Sequence, residues 1–141
     1  MKINTRYHGE REYKENEIIY FKNGLPGFED LKKFISFPIK ENELFSVLHS
    51  IEDEEIGIVT VSPFEVDKEY KFKLEDEVIN DLKISSPDDI IVAVTVTLHS
   101  KVENITVNMR APIIININEN LGEQIILDND SYSIKHPLIW E

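Results

Sequence analysis

Cysteine is absent from the chain. No disulfide can form, no thiol can act as a nucleophile, and no cysteine can hold zinc. This fits a reducing compartment. Basic residues are scarce: 15 Lys and Arg stand against 27 Asp and Glu, a net charge of −12. Neutralising phosphates takes Lys and Arg, so direct nucleic-acid binding is disfavoured, and an anionic membrane surface with it. An acidic domain is kept soluble and is steered toward basic partners. No apolar run reaches the ~18 residues that a transmembrane helix needs. The start, MKINTRYHGEREY, lacks the apolar stretch of a secretory signal. The expected location is the cytoplasm.

Catalytic signatures are missing as well. There is no G-x-G-x-x-G, no phosphate loop and no G-x-S-x-G elbow. No stretch alternates Asp and Asn around a Gly as a calcium loop does. The histidines, His8, His49, His99 and His136, are far apart in sequence and none has a metal-ligand partner at helical spacing. They read as surface or turn residues, and neither cofactor nor metal is expected. Acidic groups recur at Glu52, Asp53, Glu54 and Glu55, at Glu65, Asp67 and Glu69, and at Glu75, Asp76 and Glu77. A pair of them could act as acid and base on a small ligand. The plainer reading is a solvated surface, and a third is a docking surface for a basic protein.

What is present suits one domain over residues 1–141: the chain is 41% hydrophobic and long enough for one core. Short runs of Ile, Val, Phe, Tyr and Thr lie between evenly spread Gly and Pro. This pattern predicts an all-β fold, a small antiparallel β-barrel-like domain with one or two short helices. Strands are expected at 2–7, 17–21, 34–37, 44–49, 56–62, 69–74 and 124–128. A helical turn is expected around Leu31 and Phe34. EDEVINDL, with Val78, Ile79 and Leu82 on one face and an acidic first turn, is the best helix candidate. Residues 90–98 and the segment from Ile105 should form an antiparallel hairpin. The tail ends in an apolar group, Leu138, Ile139 and Trp140.

The stretch TVNMRAPIIININ, Thr106 to Asn118, alternates most strictly. Val107, Met109, Ala111, Ile113, Ile115 and Ile117 share one face and are expected in the core. Pro112 marks a bulge or a sheet edge, because a central strand needs its N–H. Asn108 and Asn116 are suited to turns or strand breaks. Ile114 falls on the other face. It is expected there as an apolar anchor for a partner, beside Asn108, Pro112 and Asn116.

Several blocks together resemble the FliW family of flagellar assembly factors. GLPGFE, comprising Gly24, Leu25, Pro26, Gly27, Phe28 and Glu29, is similar to the family's N-terminal signature and is followed by Phe34. LHSIEDEEIGIVTVSPFEV resembles its central segment. TVNMRAPIIIN, with Thr106, Val107 and Ala111, resembles its most specific block. Gln124, Tyr132, and His136 with Pro137 in KHPL resemble its end. Met109 and Arg110 stand where two apolar residues are usual. These signature residues read as mainly structural, with Phe28 as a core anchor. The resemblance implies a β-barrel-like protein without catalysis, monomeric on its own. It implies binding in the cytoplasm to flagellin and to CsrA, a small basic dimer that represses translation. The acidic clusters 52–55 and 75–77 are the expected partner contacts. The contrasting expectation is a small β-barrel that binds or hydrolyses a small ligand through an acidic pair.

Overall fold

The computed structural model describes residues 1–40, 42–128 and 131–138. Ile139 and Trp140 of the apolar tail lie outside the described residues. The chain opens with a hairpin of β1 (Lys2–Thr5) and β2 (Gly9–Glu12). There follow β3 (Ile19–Phe21), β4 (Lys33–Ile39), β5 (Asn42–Ser50) and β6 (Gly57–Val61). Two short helices come next, α1 (Pro63–Val66) and α2 (Asp76–Asp81). The rest is β7 (Ile90–Thr97), β8 (Thr106–Val107), β9 (Ile113–Asn116), β10 (Leu121–Gln124) and β11 (His136–Pro137).

Seven of these strands close a barrel in the order β7, β6, β5, β4, β3, β10, β9 and back to β7. Every neighbouring pair is antiparallel except β10 and β3. The expected β-barrel-like domain is thus present, with one parallel pairing. Its inner cluster is Ile19, Phe21, Leu25, Phe34, Leu48, Ile113 and Ile115. The rings of Phe21 and Phe34 meet edge to face, 5.3 Å apart. Fully burying side chains of this size contributes about 1.5–3 kcal/mol each.

Three covers bury the outer face. The β1–β2 hairpin sets Ile3 against Ile18 and Ile35. Helix α2 lays Val78 and Leu82 on Ile114. Over β6, β7 and β8, Val61, Val94, Val96 and Val107 pack with Tyr70, Met109, Leu127 and Leu138. Both faces of several strands are therefore buried.

That second layer corrects several expectations. Ile114 is fully buried beneath α2, so it does not face a partner. Asn116 and Pro112 are buried too. Of the residues expected in the core, Val107, Met109, Ala111, Ile113 and Ile115 are buried, but Ile117 is 50% exposed, because the strand has already ended at Asn116. Residues 69–74 do not form a strand. Their alternation reflects burial of Tyr70 while Lys71 bonds through its backbone to a side chain, the Tyr132 hydroxyl. The helical turn around Leu31 is replaced by hydrogen-bonded turns. Strand β1 pairs with the polar GERE segment, where no strand was expected. The strand expected at 124–128 lies instead at 121–124, starting three residues earlier. His49 is buried in β5, not at a surface or turn; its Nδ1 lies 2.7 Å from the Ser50 carbonyl oxygen.

Candidate interaction surface

The GLPGFE loop is built on glycine. Gly24 has φ +65° and Gly27 has φ +87°, values open mainly to residues without a Cβ. Gly24 is also tightly enclosed, since a Cβ there would lie 2.7 Å from the backbone of Glu29. Gly24 N–H donates to the Phe21 carbonyl (2.9 Å), and Phe28 N–H to that of Leu25 (2.7 Å). Leu25, not Phe28, is the deep anchor; Phe28 is half-buried and Pro26 is exposed. The Glu29 carboxylate accepts from Gly27 N–H (3.0 Å), and that bond holds its pKa below the usual value.

The 106–118 block forms two strands joined by a turn. Asn108 Oδ1 accepts from the N–H groups of Arg110 and Ala111, both at 3.1 Å. Arg110 Nε donates to the Leu127 carbonyl (3.0 Å), so Met109 can be buried while its neighbour stays polar. Gln124 Nε2 donates to the Ala111 carbonyl (2.9 Å). Asn116 Nδ2 donates to the Leu82 carbonyl, and its Oδ1 accepts from Asn118 and Glu119 N–H. Thr106 and Val107 pair with Pro137 and His136. The Tyr132 hydroxyl bonds the backbone of Lys71, and its ring lies 4.6 Å from that of Tyr70. These signature residues hold loops to the barrel.

The two acidic clusters differ in how free they are. Glu52 Oε1 accepts from Lys32 and Lys33 N–H at 2.8 and 3.0 Å, and so tethers β4. Glu55 pairs with Arg6 at 2.6 Å, and Asp53 Oδ1 accepts from Glu55 N–H. Glu54 is exposed, and its carboxylate takes no part in that tethering. On α2, Glu75, Asp76 and Glu77 open the helix and are exposed. The fold adds two residues that the sequence reading missed. They are Asp81 and Glu123; Glu123 is half-buried and lies near both Asp81 and Glu77. Burial first, then Asp81 and Glu77, pushes the Glu123 pKa up. Asp81 lies four residues after Glu77, a helical spacing that could have revealed it. Glu123 comes from β10, which no local pattern places there. Among the described residues, no group of three or more His, Asp or Glu is placed to hold a metal ion. No helix there is long and apolar enough to cross a membrane.

The sequence model of the family described as "FliW protein" matches residues 2–138. A flagellar assembly factor FliW from Clostridium novyi (strain NT) is 59% identical over 141 residues, covering all of this chain and 99% of the relative. Another, from Clostridium botulinum (strain 657 / Type Ba4), is 56% identical with the same coverage. A crystal structure of the flagellar assembly factor FliW superposes with a TM-score of 0.90 at 34% identity, covering 99% of this chain and 98% of that one. The chain belongs to the FliW family of flagellar assembly factors.

Proposed function

We propose that this protein is a non-catalytic regulator of flagellum assembly that binds flagellin in the cytoplasm and captures CsrA. When flagellin is scarce, the free protein holds CsrA, and translation of flagellin is released. When flagellin accumulates, it occupies the protein and CsrA represses again. The observation that carries this reading is family membership over nearly the whole chain. The charge of −12 supports it, because an acidic surface suits a basic RNA-binding partner. Glu54, and the exposed start of α2 from Glu75 to Glu77, are the acidic groups best placed for that contact.

The alternative, a ligand-hydrolysing barrel, has one geometric hint in the proximity of Glu77, Asp81 and Glu123. Titration calorimetry with purified flagellin and, separately, purified CsrA tests the proposal. Saturable binding of both is expected. Binding of neither overturns it.

A further inference from the structure

The closed barrel is only partly paired along one seam. Strand β6 pairs with β7 only through Thr60–Thr95 and Val61–Val94, then leaves the sheet at Ser62 to enter α1. The first half of β7, Ile90 to Ala93, pairs with β9 alone. Which backbone groups remain follows from the hydrogen bonds. The Asp89 carbonyl accepts from Ile117 N–H, and the Thr95 carbonyl from Asn108 N–H, so odd-numbered residues point toward β9 and β8. In an extended strand the direction alternates, so Ile90 and Val92 turn their N–H and C=O toward the seam. Among the described residues no strand pairs with that edge.

Apolar space flanks the seam on both sides. On the barrel side lies a cavity of about 550 Å³, lined in part by Leu44, Leu48, Ile91, Ala93 and Ile113. On the outer side lies a groove of about 650 Å³, lined in part by Tyr70, Phe72, Ile84, Ile90 and Val92. Phe64 borders both. Leu44, Phe64 and Ile91 are 36%, 46% and 47% exposed. Exposed Glu43, Glu65 and Asp88 adjoin Leu44, Phe64 and Pro87 of the cavity wall, while Lys71 and Lys73 line the outer groove and not the cavity.

We propose that this seam receives an extended peptide segment of a protein partner, added as a strand antiparallel to β7 in line with β6. Its backbone would pair with Ile90 and Val92. Its side chains alternate, so one set would enter the barrel cavity and the other the outer groove. The segment is therefore apolar on both faces. It carries basic residues at its ends, to suit the acidic groups beside the cavity. A bare strand edge is a template for such an addition. The inference rests on the proposed function only for the source of the strand.

The test uses the full chain and a synthetic peptide, Lys-Lys-Val-Ile-Val-Thr-Lys-Lys, followed by amide NMR and hydrogen exchange. Saturable shifts centred on residues 90–93 and slowed exchange of the Ile90 and Val92 amides are expected. A copy with proline in place of the central isoleucine, which removes a donor, should bind at least tenfold more weakly. Ile91→Asp, at an exposed position, should keep the parent's melting temperature and also lose at least tenfold in affinity. Equal binding of the proline copy, shifts confined to another surface, or no binding overturns the seam. So does perturbation by decanoate but not by the peptide, which would make the cavity a lipid pocket. A concentration-dependent dimer closing the same edge, with no peptide binding, overturns it too. Flagellin is titrated in parallel. If flagellin binds and the peptide does not, the seam fails and the proposed function stands; the converse result separates them the other way.

Discussion

Asn116 Nδ2 donates to the Leu82 carbonyl across 2.7 Å, and to that of Lys83 across 3.2 Å. One buried amide thereby fastens the end of α2 to the barrel strand β9. Asn116→Ala leaves the buried Leu82 carbonyl without that donor, at a cost of roughly 1–3 kcal/mol. Urea denaturation should show that loss, and hydrogen exchange should quicken first in α2. An unchanged midpoint would deny the bond its fastening role.

Ile114 lies beneath the same helix, packed on Val78 and Leu82. A carboxylate there is buried with no partner, a penalty comparable to the ~5–15 kcal/mol stability of a whole domain. Ile114→Asp should fail to fold, as Ile115→Asp should. Ile114→Ala should fold but lose about 2–5 kcal/mol. A thermal melt of each decides it; a folded Ile114→Asp would mean that α2 lifts off the strand.

The contrast between these positions shows what the sequence could reveal. Strand β7 was legible from the alternation of Ile90 to Leu98, and α2 from its spacing of Val78, Ile79 and Leu82. Period-two alternation reports burial on one face, and it placed Ile113 and Ile115 correctly. It cannot report a helix laid over the opposite face, so Ile114 read as exposed. Residues 69–74 alternate for a related reason: the segment packs Tyr70 inward without a ladder beside it. The hairpin strand GERE carries no apolar signal and forms by pairing with β1 alone. The gathering of Glu77 and Asp81 with Glu123 depends on β10 passing α2, which only the folded chain shows.

Gly24 combines φ +65° with backbone at 2.7 Å from where a Cβ would stand, whereas Gly27 has open space around it. Gly24→Ala therefore meets both strain and overlap, while Gly27→Ala meets strain alone. The expected costs are several kcal/mol for the first and about 1–2 kcal/mol for the second. Melting temperatures should rank parent, then Gly27→Ala, then Gly24→Ala. Equal losses would contradict the described loop.

Glu123 supplies a pH dependence with a fixed sign. Its folded pKa is raised above 4.5 by burial and by the nearby Asp81 and Glu77. The folded state then binds the proton more tightly, so the contribution is fully present below pH 4.5 and is lost as pH rises through the folded value. Glu123→Gln removes the charge that is disfavoured at neutral pH. It should be more stable than the parent at pH 7, by less than about 1 kcal/mol for a half-solvated group. The gap should close near pH 4. A variant less stable at pH 7 would show that the carboxylate is held by a favourable partner instead.

The central claim is that one acidic barrel serves two partners whose occupancies are linked. Preform the complex with fluorescently labelled CsrA at low salt, then titrate purified flagellin and follow release by anisotropy. The account predicts that flagellin displaces CsrA. It also predicts that CsrA association slows as salt rises, since screening shortens the reach of charge to ~10 Å at ~0.1 M. Flagellin binding that leaves CsrA fully bound, or CsrA failing to bind at any salt, would contradict it.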